Sequence, residues 1–356
     1  MSDLLVILGA GASHDAYESD PCPPLTDKLF DEDHSARFSR FENVEGLRGT
    51  ILSRVKRGST LETVLREFSE NPQEDIRRQV FDLSIYLKDL LAQFDGRAAS
   101  RYDDLITLIQ ERGVSVTFVT LNYDMLLDSA IERKYDTTIS SFDTYIGATG
   151  SWQYVKFHGS VNWGYRTSIR SPEHTLDGSR VADYLRILHD HGTPFDYDQS
   201  KLELLEFPQW WQSGDALIYP ALALPTDQKD PFVCPTDHVE VLRETLRSDP
   251  AILVIGNQGL DTALMDILRG SAQRRTSKAL HIVDCGNGNA VTSRFQEALE
   301  RAGFFRPNNA IDEVFGTLDS PEIGESPITW SDAGFGSFVE SGDAERFFDV
   351  VVAALN

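Results

Sequence analysis

Leu4-Leu5-Val6-Ile7-Leu8-Gly9-Ala10-Gly11-Ala12-Ser13 is the stretch that decides the fold class of this chain. Five consecutive apolar residues, without alternation, fit a strand covered on both faces, as in a parallel sheet between helices. The run ends in a Gly-Ala-Gly-Ala-Ser loop. Small residues there let backbone amides approach a pyrophosphate, and a following helix N-terminus favours negative charge. The third glycine of the dinucleotide fingerprint is replaced by His14, so a tight strand-to-helix turn is the competing reading.

Similar apolar runs recur at Val114–Leu121, Tyr154–Phe157, Ala216–Leu224, Ala251–Ile255 and Ala279–Val283. Helical spacing lies between them: Val80, Leu83, Leu87, Leu90, Leu91 and Phe94 fall three and four apart, as do Val239, Leu242 and Leu246. Strand alternating with helix predicts an α/β fold, a doubly wound and mostly parallel Rossmann-like sheet into which all six runs are placed. Residues from about 27 to 112 are too many for one crossover and read as a helical insertion. A second insertion, about 165–212, reads as partly irregular and holds His174, His189, His191 and the Trp210-Trp211 pair. No internal repeat or linker divides the chain, so residues 1–356 are taken as one domain. Ala344, Phe347, Phe348, Val351, Val352 and Leu355 predict a terminal helix packed on the sheet.

Composition narrows the functions. Lys+Arg is 33 against 56 Asp+Glu, a formal charge of −23, which argues against broad binding of a phosphate backbone. The 41% apolar content supplies a real core. Cys22, Cys234 and Cys285 are too few and too scattered for a four-cysteine zinc site or a disulfide framework. His189 and His191 read as solvated loop residues, and no metal is expected. The N-terminus lacks a basic signal region, and no apolar run approaches the roughly 18–20 residues of a membrane span, so a cytoplasmic protein is expected.

The chemistry gathers where strands end. Thr120-Leu121-Asn122-Tyr123-Asp124 closes the second run. Polar residues at the carboxyl end of a buried parallel strand project into the ligand crevice. Asn122 offers both a donor and an acceptor, and Asp124 offers either charge or a cap for the next helix. Lys156-Phe157-His158-Gly159-Ser160 closes the third, and His158 there is a natural general base. Gly256-Asn257-Gln258-Gly259-Leu260-Asp261 and Asp284-Cys285-Gly286-Asn287 follow later strands, with groups suited to ribose hydroxyls and an adenine edge. Five strand ends converging on one crevice carry the functional reading.

The order GAGAS, TLNYD, FHGS and a later strand ending in Gly-Asn resembles the sirtuin NAD-binding domain, and more closely the sirtuin-like NADase domains of bacterial anti-phage defence systems. The resemblance runs from Leu4 to about Asn287. It implies that Asn122 and His158 form the catalytic pair, with Asp124 in the nicotinamide-ribose region. It further implies that Gly9, Ala10, Gly11 and Ser13, with Ala12 in the same loop, hold the pyrophosphate, and that Gly256, Asn257 and Asp284 serve the ribose and adenine side. Protein-deacylating sirtuins carry a four-cysteine zinc module that three cysteines cannot make, and their Ile-Pro-x-Phe-Arg extension is replaced here by Pro23-Pro24-Leu25-Thr26.

The expected function is therefore an NAD glycohydrolase, with NAD as substrate, acting as an antiviral defence effector that depletes NAD. A non-catalytic sensor of NAD or ADP-ribose is the alternative, ahead of a zinc-free deacylase or ADP-ribosyltransferase. A constitutive NADase would kill its host. Regulation in trans is expected, by homo-oligomerisation or by a separately encoded partner such as a HerA-type translocase.

Overall fold

The computed structural model describes residues 3–18, 21–59, 61–69, 73–147, 150–170, 177–190, 201–206, 210–224, 233–270, 279–286, 288–301, 322–323 and 326–355. The chain opens with β1 (Leu4–Leu8), all five residues buried, followed by the single-turn helix α1 (Ala10–His14). The long stretch before the next strand is helical: α2 (Ser35–Phe38), α3 (Glu42–Lys56), α4 (Leu61–Ser69) and α5 (Glu74–Leu91), then α6 (Arg101–Glu111), which leads into β2 (Val116–Thr120). Ser100 and Asp103 form a reciprocal capping box that starts α6. After β2 come α7 (Leu126–Tyr135), α8 (Phe142–Tyr145) and β3 (Trp152–Lys156).

From β3 the chain leaves the main sheet and builds a smaller one. β4 (Gly159–Arg170), β5 (Leu202–Leu204), β6 (Gln212–Ser213) and β7 (Ala216–Leu222) pair antiparallel in the order β5-β4-β7-β6, with α9 (Gly178–Asp190) lying between β4 and β5 in sequence. It then returns through α10 (Thr236–Arg247) to β8 (Ala251–Ile255), α11 (Thr262–Gly270), β9 (Leu280–Val283), α12 (Gly288–Arg301) and β10 (Ile328–Ser331). The helices α13 (Gly334–Glu340) and α14 (Asp343–Leu355) follow.

The main sheet has six parallel strands in the order β10-β9-β8-β1-β2-β3. This is the doubly wound, Rossmann-like α/β arrangement that the apolar runs predict. Successive strands are added to one side of β1 and then, from β8, to the other. The order reverses between β1 and β8, and ligand crevices of open α/β sheets lie outside the carboxyl ends of strands at such a point.

One run belongs elsewhere. Ala216–Leu224, expected in the main sheet, forms β7 at the centre of the small antiparallel sheet. Its continuous burial has another source: α5 covers it, with the Phe81 and Tyr219 rings stacked at 4.5 Å and the Tyr219 hydroxyl donating to the Phe81 carbonyl at 3.2 Å. Continuous apolarity reports two covered faces and not strand direction. The stretch read as partly irregular likewise carries β4, α9, β5 and β6, while His174 and His191 lie outside the described residues. Trp210 is buried in the core, and the Lys88 ammonium lies 5.0 Å from the Trp211 ring, so the pair serves packing.

At the far end, α13 and α14 cover the sheet. The His281 ring on β9 stacks on Phe338 at 5.1 Å and meets Phe347 at 5.7 Å. The terminal helix buries Ala344, Phe347, Phe348 and Val351, while Val352 is partly buried and Leu355, expected on the same face, is exposed at the end of the helix. No helix among the described residues is long and apolar enough to cross a membrane.

Candidate functional site at the switch between the first and eighth strands

Backbone contact between two loops forms the floor. The Gly9 amide donates to the Ile255 carbonyl and the Gly11 amide to the Gly256 carbonyl, each at 3.0 Å. A Cβ on Gly9 would stand 2.4 Å from the Gly256 oxygen, and one on Gly256, whose φ is +58°, would stand 2.2 Å from the Ala12 nitrogen. Both positions therefore require glycine for the approach of one loop to the other. The Gly9 and Gly11 amides are engaged here and the Ala12 amide bonds the Gly9 carbonyl at 3.0 Å, so the loop's close packing uses three of the amides read as a phosphate cradle.

Asn122 is tied to this floor. Its side-chain nitrogen donates to the Gly9 carbonyl and to Ser13 Oγ, both at 2.9 Å, and its backbone amide donates to Thr120 Oγ1 at 3.1 Å. Thr120 Oγ1 in turn donates to the Leu8 carbonyl at 3.2 Å. The ends of β1 and β2 are thus locked in register with the Asn122 amide between them. Ser13 Oγ also meets the Tyr102 hydroxyl at 3.0 Å, from α6. Tyr102 is fully buried, and burial foremost, with the charge of Asp124 nearby, holds its hydroxyl well above the usual phenol range, so it stays protonated.

Asp124 stands behind Asn122. Its Oδ1 accepts from the amide of Leu126, the first residue of α7, at 3.1 Å, but the N-cap position itself is taken by Met125 and not, as weighed in the sequence, by Asp124. Burial raises its carboxyl pKa, opposed first by the Lys156 charge and then by hydrogen bonds from the Leu126 amide and Ser13. Lys156, also fully buried, donates to the Asp124 carbonyl at 2.6 Å and to Asp128 Oδ2 at 2.8 Å. Asp128 completes its shell with the hydroxyls of Tyr145 and Tyr154, each at 2.9 Å. A satisfied buried ion pair therefore underlies the ends of β2 and β3.

His158 follows β3, where Gly159 turns the chain with φ +79° and a Cβ would meet the Ala221 oxygen at 1.9 Å. The glycine beside the histidine is required by β7, and the Ala223 amide donates to the His158 carbonyl at 2.8 Å. The imidazole is fixed from across the crevice: Nε2 lies 3.0 Å from Asp261 Oδ2, both side chains about one-fifth exposed. The Tyr123 ring lies 6.3 Å from the imidazole, and its hydroxyl donates to the Ala223 carbonyl at 2.9 Å.

Asp261 is the residue that sequence reading left inside a loop. The six-residue strand-end cluster contained it, but nothing in the spacing marked it as the partner of His158. Asn257, in the same loop, uses its side-chain oxygen to accept from the Gly259 amide at 2.9 Å and so shapes the loop itself. Asp284 is buried at the end of β9, with its amide donating to the Ser331 carbonyl at 3.0 Å. The described side chains thus join Ser13, Tyr102, Asn122 and Asp124 in one bonded cluster and His158 with Asp261 in another. No group of three or more metal-ligating side chains occurs among the described residues.

Solved structures with a related chain course include a Sir2 homologue bound to NAD, 13% identical, covering 85% of this chain and 90% of that one, with a TM-score of 0.38. Another comes from work on the mechanism and regulation of Sir2 enzymes, 17% identical, covering 85% and 92%, with a TM-score of 0.35. A third, Sir2 with a p53 peptide and NAD, is 15% identical over 84% and 93%, with a TM-score of 0.36. No family model and no curated protein matches the chain.

Proposed function

We propose that the chain is an NAD glycohydrolase that cleaves the nicotinamide–ribose bond. The observation that carries this reading is that Asn122, after β2, is tethered to Gly9 and Ser13 of the loop after β1, while His158, after the neighbouring β3, pairs with Asp261 of the loop after β8. These are the residues that the GAGAS, TLNYD and FHGS motifs single out.

The reaction breaks the bond from C1′ to the nicotinamide nitrogen, and the electron pair leaves with a neutral nicotinamide. Its transition state is oxocarbenium-like, so the needs are a held ribose, negative potential near C1′ and an oriented water. Asn122 holds the ribose hydroxyls or the water, and His158 accepts the proton as the water oxygen bonds C1′. Asp124 sets the position of Asn122 and contributes negative potential to the degree that it is ionised. The Gly9–Ser13 loop takes the pyrophosphate, with Gly256, Asn257 and Asp284 on the ribose and adenine side. The product is ADP-ribose, linear or cyclised according to which nucleophile reaches C1′.

Three free, scattered cysteines support hydrolysis over protein deacylation, since they make no zinc module. The biological reading that follows is a cytoplasmic anti-phage effector whose activity is switched by assembly with itself or with a partner such as a HerA-type translocase. The competing reading is a non-catalytic NAD or ADP-ribose sensor that uses the same crevice. Incubating the purified protein with NAD and assaying free nicotinamide separates the two: release supports the hydrolase, and binding without release supports the sensor.

A further inference from the structure

We propose that Asp261 is the positioning residue for His158, holding the imidazole in the tautomer that carries its proton on Nε2. The inference rests on the hydrolase reading for its catalytic consequence, but not for the geometry. The Asp261 carboxylate divides its two oxygens. Oδ1 accepts from the Leu264 amide at 2.7 Å and caps α11, while Oδ2 faces His158 Nε2 at 3.0 Å. Its carbonyl also accepts from the Met265 amide at 3.1 Å, so the residue is fixed at the helix start by main chain and side chain together.

Burial acts to raise the Asp261 pKa, but the hydrogen bond and charge of His158, with the Leu264 and Ala263 amides, hold it below the ordinary carboxylate value. The opening of a nine-residue helix adds a favourable field for the anion. An ionised carboxylate only accepts hydrogen bonds, so the ring nitrogen facing it must be the donor. In neutral imidazole the other nitrogen, Nδ1, is then the acceptor and the one atom able to take a proton. Asp261 reaches across from the loop after β8 to a histidine placed by β3. Closing that distance brings the two halves of the doubly wound sheet to bear on one base.

Asp261→Asn is the discriminating variant. Asparagine keeps an oxygen for the α11 cap and turns its amide nitrogen toward His158, which forces Nε2 to accept and moves the proton to Nδ1. Nitrogen NMR of the full-length protein, which distinguishes a protonated from an unprotonated ring nitrogen, reads the tautomer directly. We expect Nε2–H in the parent, Nδ1–H in Asp261→Asn, and a mixture in Asp261→Ser, which retains a helix cap but does not reach the ring. In NAD turnover, Asp261→Asn should lower kcat by about 100-fold or more while KM changes by less than about 3-fold.

An unchanged Nε2–H tautomer in a folded Asp261→Asn protein overturns the positioning role. An inverted tautomer with undiminished kcat overturns its catalytic consequence. If the parent shows no turnover at all, the hydrolase reading fails. The tautomer measurement still decides whether Asp261 sets the His158 proton.

Discussion

The side-chain nitrogen of Asn122 donates to the carbonyl oxygen of Gly9 at 2.9 Å, across 113 positions of sequence, and ties the polar end of the second strand to the glycine loop after the first. A second bond from the same nitrogen to Ser13 Oγ makes the asparagine a bridge between the loop and the strand end. Anything that moves the loop moves Asn122.

Replacing Asn122 with alanine should remove about 100-fold or more of NAD turnover, the scale of losing one preorganised polar contact at a reacting centre. The stability cost should stay near 1 kcal/mol per lost hydrogen bond. Nicotinamide release and a denaturant melt on the same preparation separate the two effects. A fold that collapses would assign Asn122 to structure.

Tyr102 tests the same cluster from a distance. Tyr102→Phe removes the hydroxyl that meets Ser13 Oγ at 3.0 Å and leaves the ring against Phe335. We expect a stability loss of about 1 kcal/mol and a several-fold rise in KM for NAD, because the loop loses a fixed point while His158 stays in place. Steady-state kinetics check this, and an effect confined to kcat would point to a different role.

Much of this architecture is legible in the sequence. β1, β2, β3, β8 and β9 announce themselves because a strand covered on both faces needs nearly continuous apolar residues, and Asn122 and His158 stand out as polar groups directly after such runs. β10, Ile328-Thr329-Trp330-Ser331, is four residues long with alternating polarity and gave no such signal. β7 had the signal but not the direction. Tyr102 sits on an amphipathic helix 89 positions from Ser13, where a buried hydroxyl looks like any aromatic core residue. Asp261 reads as a loop acid until α11 and His158 are placed on either side of it.

The buried pair Lys156–Asp128 should be strongly asymmetric to mutation. Lys156→Met leaves Asp128 charged in the interior with two tyrosine hydroxyls and no counter-ion, a loss of about 3–5 kcal/mol. Adding Asp128→Leu should recover a large part of that loss, since the uncompensated charge goes with it. Urea melts of the single and double variants give the comparison, and a double variant less stable than Lys156→Met would contradict it.

Acid should weaken the fold through two histidines. Burial lowers the pKa of both His238 and His281 from 6.5 to about 4, so each is neutral in the folded protein. The unfolded chain binds the proton first. Stability is therefore fully present above about pH 6.5 and lost as pH falls toward 4, by about 2 kcal/mol per histidine at pH 5. Melting temperature against pH should show this slope, and His281→Gln should flatten it.

The Gly256 contact sets a steric limit. Gly256→Ala places a methyl group 2.2 Å from the Ala12 nitrogen at a φ of +58°, so the two loops must separate. The backbone conformation alone costs about 1–2 kcal/mol. Calorimetric titration with NAD should show binding weakened at least about 10-fold, the equivalent of 1.4 kcal/mol. Unchanged binding would place the ligand away from this junction.

The most direct test is free nicotinamide released from NAD by the purified chain, measured across protein concentrations beside His158→Ala. We expect release by the parent, rising more steeply than linearly with concentration if self-assembly is the switch, and no release by a folded His158→Ala protein. Full turnover by His158→Ala would contradict the assignment of the base and with it the proposed site.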